Sequence, residues 1–194
     1  AFDRLDKAIK ENEKIAILFD TDLDGTASGA IITRYLRNFT NNIETYIDEG
    51  KQHGLIGQDI EKFFDIDLLI VVDSLDKNEL QYKKLYENKT DVIILDHHAI
   101  KESVPYDDYS ILVSSQRKYS NPQLSGATWK FCKYMDEQYL TGYADELVDL
   151  AACGLVGDMM DMTVMENRYI VSKGLSKINN PAIKKIVGGF EFNS

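Results

Sequence analysis

The chain is poor in the residues that mark the unusual classes of protein. Its two cysteines, Cys132 and Cys153, cannot build a disulfide framework, so we expect a reducing, cytoplasmic environment. Three prolines and 12 glycines in 194 residues exclude a disordered or fibrous chain. The longest apolar runs, such as residues 68–72, are far shorter than the ~20 residues of a membrane span, as is the run at residues 92–95. No basic segment followed by an apolar one indicates a signal peptide. We therefore expect a globular protein without a membrane partner.

Charge of one sign predominates. The chain has 22 basic and 32 acidic residues, a net charge of −10, and a pI near 4.8. A negative surface argues against a protein that coats nucleic acid by bulk attraction. It does not exclude a nuclease, because carboxylates that hold divalent cations are neutralised when the metal binds.

Short apolar runs alternate with stretches of helical periodicity over the first two thirds of the chain. The predicted strands are residues 15–19, 44–47, 68–72, 92–95 and 111–113. The predicted helices are residues 25–39, 56–64, 76–88, 126–139, 144–154, 167–177 and 181–187. This alternation predicts an α/β fold with a doubly wound, mainly parallel five-stranded sheet, helices on both faces, and a helical C-terminal layer.

Acidic residues and histidines follow three of the predicted strands. Asp20 opens a loop that also contains Asp22 and Asp24, Asp73 follows the third strand, and residues 96–98 (Asp-His-His) follow the fourth. Ligands bind at the carboxyl ends of the strands in such sheets, so we expect these side chains to form one site.

The residue types at this edge favour a metal centre. Clustered carboxylates repel one another unless a hard cation neutralises them. Capping of the following helix would explain one aspartate of the first loop, but not three. Imidazole is a usual ligand for Mn or Zn, and Asp158, after an apolar helix, is a further candidate carboxylate. Together these residues predict a two-metal hydrolase, in which mixed oxygen and imidazole ligands favour Mn²⁺ over Ca²⁺.

The order of the motifs resembles the DHH phosphoesterase superfamily, and within it the RecJ-like exonucleases specific for single-stranded DNA. The motifs are FDTDLDG (residues 19–25), VVDS (71–74), ILDHH (94–98) and LVGDMMDM (155–162). Three more stretches are similar to RecJ-like members: HGL (53–55), LSGATWKF (124–131) and ENRYIVSKGL (166–175). The resemblance runs from about residue 15 to residue 175.

The resemblance implies a role for individual residues. The matched metal ligands are Asp20, Asp22, Asp24, Asp73, His97 and Asp158. Asp73 matches the ligand that bridges the two metals, and His98 matches the histidine used at the scissile phosphate. Asp96 is similar to a supporting catalytic residue. His53, Ser125 and Gly126 match positions near the substrate, although a surface loop and a helix cap are alternative interpretations.

Two departures refine the assignment. Members that act on short oligonucleotides or cyclic dinucleotides have a histidine where Asp20 stands here, which favours the RecJ-like branch. Asp161 occupies a position that is often proline in RecJ relatives, and nothing in the sequence explains it. We interpret residues 1–187 as the catalytic DHH domain and residues 188–194 as the start of a linker to a second, substrate-binding domain.

The sequence thus predicts a Mn²⁺- or Mg²⁺-dependent phosphodiesterase, in particular a 5′-to-3′ exonuclease that releases 5′-mononucleotides from single-stranded DNA. A phosphodiesterase of short oligonucleotides or cyclic dinucleotides is the alternative. Asp22 and Asp24 also match the nucleophile motif of haloacid-dehalogenase-like phosphatases, in which the first aspartate attacks phosphorus. A further alternative is a replication scaffold that has lost catalysis, although every ligand position is filled here.

Overall fold

The computed structural model describes residues 1–48, 54–75, 79–98, 100, 106–114 and 126–188. A five-stranded sheet lies at its centre, in the order β2-β1-β3-β4-β5, and every neighbouring pair is parallel. The strands are β1 (Ile15–Phe19), β2 (Ile43–Ile47), β3 (Leu68–Val72), β4 (Asp91–Asp96) and β5 (Ile111–Ser114). The predicted parallel, doubly wound α/β fold is confirmed.

Eight α-helices and two 3₁₀ helices surround the sheet in the described part of the chain. The α-helices are α1 (Phe2–Lys10), α2 (Leu23–Leu36), α3 (Leu80–Glu87), α4 (Tyr106–Tyr109), α5 (Ala127–Tyr139), α6 (Val148–Gly157), α7 (Met165–Ser176) and α8 (Pro181–Gly188). The 3₁₀ helices are Ile60–Phe63 and Tyr143–Leu147. None of the described helices combines the length and the apolar character needed to cross a membrane.

Alternate residues of each strand build a separate core on each face of the sheet. Ile15 and Ile17 of β1 pack with α1, α2 and the C-terminal helices, whereas Ala16 and Leu18 pack with α3 and the first 3₁₀ helix. Residues on both sides of β1, β3 and β4 are buried, which explains why these strands are continuous apolar runs in the sequence. The predicted helical C-terminal layer is α5–α8, on the same face as α2.

Three local features differ from the sequence-based expectation. Helix α1 is absent from the prediction, although Phe2, Leu5 and Ala8 recur at helical spacing and pack into the core. The helix predicted for residues 56–64 is only a 3₁₀ turn, because Gly57 has a left-handed φ of 82° that cannot continue a helix. The helix predicted for residues 144–154 begins as a 3₁₀ turn and extends to Gly157.

The strand order brings the predicted site together. Strands β1, β3 and β4 are consecutive in the sheet. Strand β2 is added on one side of β1, and β3 to β5 are added on the other side. The loops after these three strands therefore share one edge, at the switch point where parallel sheets bind ligands.

Candidate metal centre

The first acidic loop divides its three aspartates among different environments. Asp22 is exposed and is the N-cap of α2, where its carboxylate accepts a hydrogen bond of 2.8 Å from the Gly25 amide. Asp24 lies in the first turn of α2, and its side chain is buried. Asp20 is nearly buried, and its Oδ1 accepts a hydrogen bond of 2.6 Å from the Thr21 amide. The capping interpretation therefore describes Asp22, whereas Asp24 faces the site.

His97 is the point on which the carboxylates converge. Its Nε2 lies 3.2 Å from Asp73 Oδ1, 3.5 Å from Asp24 Oδ2 and 3.6 Å from Asp158 Oδ2. The donor atoms form two groups, Asp24–His97–Asp158 and Asp73–His97–His98, in each of which all atoms lie within 4.8 Å of one another. Residues from three strand ends and from the end of α6 thus present oxygen and nitrogen donors to one small volume.

Asp73 is the buried carboxylate at the centre of this volume. It has a left-handed φ of 52°, and its amide donates to Leu95 O at 3.0 Å. Its Oδ1 is buried and forms an ion pair with His97 Nε2 at 3.2 Å, but among the described residues it accepts no further hydrogen bond. A buried oxygen left in this way is costly unless a further group satisfies it. The donor set therefore fits a divalent cation, which would complete the coordination of this oxygen.

Asp96 has a different role from its neighbours, because both of its oxygens are engaged within the loops. Oδ1 accepts hydrogen bonds from the His98 amide at 2.5 Å and the His98 Nδ1 at 2.8 Å, and Oδ2 accepts one from the Leu75 amide at 2.7 Å. Burial raises the pKa of Asp96, but the bonds from His98 outweigh it and hold the pKa below its usual value. Asp96 thus orients the His98 ring and directs Nε2 away from itself.

The carboxyl end of α6 supplies the last donor. Asp158 caps α6, and its side chain is about two-fifths exposed, so the site opens to solvent here. One turn earlier, Gly154 packs against Asp24 so closely that a Cβ at this position would overlap Asp24 Oδ1. The glycine in this helix therefore permits α6 and α2 to approach at the site.

The electrostatics of the metal-free centre show how strongly it attracts positive charge. Burial raises the pKa of Asp73 to about 7. Burial lowers the pKa of His97, but Asp73 and the other carboxylates outweigh this effect and raise it to about 9. At neutral pH the centre therefore binds protons that a divalent cation would replace.

Several predicted residues do not enter the two donor groups. Asp20 and Asp22 belong to neither group, and their assignment as ligands stays a prediction. His53 and Ser125 lie outside the described residues. Gly126 begins α5 with a φ of 74°, and its substrate role is likewise untested. Asp161 caps a turn, since its Oδ1 accepts a bond of 2.7 Å from the Thr163 amide.

The sequence-based prediction missed Asp48, which directly follows β2 at the same edge of the sheet. It is 2% exposed, and its amide donates to Phe19 O at the end of β1. A carboxylate directly after a strand is the same signal that identifies Asp20, Asp73 and Asp96.

The chain is similar to several exonucleases specific for single-stranded DNA. It is 32% identical over 200 residues to the putative SPbeta prophage-derived single-strand DNA-specific exonuclease YorK of Bacillus subtilis, covering 100% of this chain and 34% of that protein. It is 29% identical to the single-stranded-DNA-specific exonuclease RecJ of Bacillus subtilis, covering 96% of this chain and 24% of RecJ. The chain thus spans about a third or less of the curated relatives it matches.

A solved structure supports the same relationship. The crystal structure of exonuclease RecJ bound to manganese superposes with a TM-score of 0.79 at 26% identity, over 90% of this chain and 46% of that chain. The fold of this chain is therefore that of a RecJ domain, and the resemblance in motif order extends to three dimensions.

The family assignment rests on most of the chain. The sequence model of the DHH family, N-terminal domain, matches residues 14–173. This span contains all five strands and the four residues Asp24, Asp73, His97 and Asp158 that converge at the sheet edge. It replaces the haloacid-dehalogenase-like interpretation, in which Asp22 would be a nucleophile and residues 96–98 would have no role. The chain belongs to the DHH family.

Proposed function

We propose that this chain is the catalytic part of a two-metal-dependent 5′-to-3′ exonuclease, which hydrolyses single-stranded DNA to 5′-mononucleotides. The observation that carries the proposal is the buried Asp73 Oδ1, which lies 3.2 Å from His97 Nε2 in a cluster of carboxylate and imidazole donors and accepts no further hydrogen bond from the described residues. The relatives that are exonucleases of single-stranded DNA support the substrate class. The manganese bound to the RecJ structure supports Mn²⁺, with Mg²⁺ as the alternative ion.

The cation ligands would be Asp24, Asp73, His97 and Asp158, with Asp20 and Asp22 as further candidates. When bound, two divalent ions activate a water molecule and neutralise charge on the phosphoryl group. His97 is the residue shared by the two donor groups, but one nitrogen lone pair serves one cation. A carboxylate has two oxygens, so Asp73 remains the better candidate for a ligand of both ions.

His98 is the residue placed to act on the substrate itself. Asp96 Oδ1 accepts a hydrogen bond from Nδ1, and this bond and the charge of Asp96 raise the pKa of His98. The ring is about half exposed at the mouth of the centre. His98 can therefore donate a hydrogen bond from Nε2 to a phosphoryl oxygen, where negative charge increases during hydrolysis. Enzymes that act on single strands grip the backbone and stack the bases, so we expect cleavage without sequence preference.

We further propose that the protein works in the cytoplasm, and that a second domain holds the polymer. Cys132 and Cys153 are free, which supports the reducing compartment. The greater length of the curated relatives supports a further domain beyond residues 1–187. The proposed linker includes residues 189–194, which lie outside the described part of the chain.

The function is tested by digesting a 5′-labelled single-stranded DNA in Mn²⁺ beside a labelled dinucleotide. Immediate release of labelled 5′-mononucleotide from the long strand, and its delayed release from a 3′-labelled strand, supports the proposal and its polarity. Cleavage of the dinucleotide alone would transfer the chain to the short-oligonucleotide branch. Absence of cleavage of either substrate, with Mn²⁺ bound, would favour the inactive scaffold.

A further inference from the structure

A buried hydrogen-bond network lies beside the metal centre and has no role in the proposed chemistry. It links Asp48, after β2, to Gln58 on one side and to Ser74 on the other. All three side chains are buried, and Ser74 directly follows Asp73 in the sequence. A carboxylate buried this deeply needs a structural or functional reason, because burial of its charge is unfavourable.

The donor and acceptor groups of its residues fix the direction of each hydrogen bond in this network. The Gln58 amide donates from Nε2 to Asp48 Oδ1 at 2.7 Å, and the Ser74 hydroxyl donates to Asp48 Oδ2 at 3.3 Å. Because that hydroxyl proton points to Asp48, Ser74 Oγ is free to accept the Gly54 amide proton at 2.6 Å. Lys62 donates to Gln58 Oε1 at 2.8 Å and so places a positive charge at the outer end. Asp48 is thus the acceptor at the centre of this hydrogen-bond network.

The hydrogen-bond network connects the ends of two strands, β2 and β3, that are not neighbours in the sheet. Strand β1 lies between β2 and β3, so the axes of those two strands are about 10 Å apart, which is twice the spacing of paired strands. The Asp48–Ser74 hydrogen bond closes this distance at the carboxyl end of β1. It therefore ties the end of the edge strand β2 to the turn that carries Asp73.

That turn needs support from outside, because its backbone is strained. Asp73 has a φ of 52°, a region that costs a residue other than glycine about 1 kcal/mol or more. Buried carboxylates bind the two residues that follow Asp73. Asp48 accepts a hydrogen bond from the Ser74 hydroxyl, and Asp96 accepts one from the Leu75 amide. Asp96 is part of the DHH motif, whereas Asp48 belongs to none of the motifs.

We propose that Asp48 is a positioning residue for Asp73, acting through the hydroxyl of Ser74. It keeps the Asp73 turn in the conformation that presents Oδ1 to His97. The inference rests on the proposed metal centre, since its consequence is the affinity of that centre for a divalent cation. Partners that hold metal ligands in place commonly contribute 10–100-fold to metal affinity.

The test measures Mn²⁺ binding to the 194-residue chain by titration calorimetry, so it does not depend on exonuclease activity. We expect Asp48→Ala to weaken Mn²⁺ binding by about tenfold or more. Ser74→Ala should produce a similar loss, and the double variant should lose little more, because both changes break one link. Asp48→Asn should lose less affinity than Asp48→Ala, because the amide keeps one acceptor oxygen for Ser74 while its NH2 group faces the Gln58 donor.

Asp136→Ala is the matched control. Asp136 is also a buried carboxylate with several donors, but it lies near the end of α5, and its hydrogen-bond donors among the described residues, Tyr35, Thr141, Tyr143 and Ala144, lie outside the loops of the metal centre. We expect it to lower the melting temperature while leaving Mn²⁺ affinity within about twofold.

Wild-type affinity in a folded Asp48→Ala chain would overturn the proposal, and so would an equal loss of affinity in Asp136→Ala. If Asp48→Ala does not fold, wild-type affinity in Ser74→Ala overturns it. A wild-type chain that binds no Mn²⁺ refutes the metal centre as well as the positioning role. If the wild type binds Mn²⁺ and the folded Asp48→Ala variant binds it equally tightly, the positioning role alone is refuted.

Discussion

Two buried aspartates show how differently the same side chain is used in this fold. Asp136, at the end of α5, accepts hydrogen bonds from Tyr35 Oη at 3.1 Å, Thr141 Oγ1 at 2.6 Å and the Ala144 amide at 2.9 Å. Asp73 is about as deeply buried, but among the described residues its Oδ1 accepts no hydrogen bond beyond its ion pair with His97 Nε2 at 3.2 Å, and it faces other carboxylates. Burial is therefore common to both, and the satisfaction of the carboxylate separates them.

The difference indicates what each residue contributes. The charge of Asp136 is solvated by the protein itself, so it stabilises the turn after α5. Asp73 is left in an environment that disfavours its charge and raises its pKa, which is typical of groups that await a ligand. A buried carboxylate that pairs with a histidine instead of with hydroxyl and backbone donors is thus stronger evidence of function here than the number of aspartates in the neighbouring loop.

The largest effect is expected when Asp73 is replaced. Asp73→Ala removes the proposed central ligand, and we expect cleavage of single-stranded DNA to fall by about a hundredfold or more. The measurement is turnover in saturating Mn²⁺, with Asp136→Ala as the control that retains its activity below its melting temperature. Residual turnover above about a tenth of normal would contradict the role assigned to Asp73.

Replacement of Asp136 should have the opposite pattern. Asp136→Ala leaves two hydroxyls and the amides of the following turn without their acceptor, and we expect the free energy of unfolding to fall by about 2–4 kcal/mol. Urea denaturation measures this change. A loss of stability no larger than that of metal-free Asp73→Ala would remove the distinction between the two carboxylates.

The third expectation concerns the cation itself. A ligand that binds only the folded state at a hundred times its dissociation constant adds about 2.7 kcal/mol, or roughly 5–10 °C in melting temperature for a chain of this size. We expect Mn²⁺ to raise the melting temperature of the wild type and of Asp136→Ala by similar amounts, and EDTA to reverse the change. An equal increase in Asp73→Ala would place the stabilising ion elsewhere.

The smallest effects should come from two glycines that allow helices to approach. A Cβ at Gly154 would overlap Asp24 Oδ1, whereas a Cβ at Gly174 of α7 would lie 2.5 Å from Ala152 Cβ and from Val148 O. Gly174→Ala should cost about 1–3 kcal/mol of stability through overpacking, with unchanged Mn²⁺ affinity. Gly154→Ala should weaken Mn²⁺ binding about tenfold, because Asp24 must move. Titration calorimetry and denaturation on both variants separate the effects, and an unchanged Mn²⁺ affinity in Gly154→Ala would contradict the position of Asp24.

The sequence contains most of the fold because the central strands are simple. Strands β1 and β3 are buried on both sides, so they are continuous apolar runs whose ends are marked by Asp20 and Asp73. Strand ends in a parallel sheet share one edge, and this rule alone predicts that Asp73 and His97 meet. The same rule identifies Asp48, because it too directly follows a strand.

Features that depend on tertiary packing were harder to predict. Helix α1 is short, and although Phe2, Leu5 and Ala8 recur at helical spacing, the sequence does not show that they pack against the sheet. The loop after β1 shows three aspartates at alternate positions, but only backbone geometry distinguishes the capping Asp22 from Asp24, which faces the centre. That Asp73 Oδ1 accepts no further hydrogen bond from the described residues depends on three-dimensional contacts, and no sequence pattern predicts it.

The most direct test of the metal centre is anomalous diffraction from crystals of this chain soaked in Mn²⁺. We predict a manganese peak within about 2.5 Å of Asp73 Oδ1 and His97 Nε2, with Asp24 or Asp158 as a further ligand. A fully soaked crystal with no peak at this position, or with manganese bound only at the protein surface, would contradict the proposed metal centre.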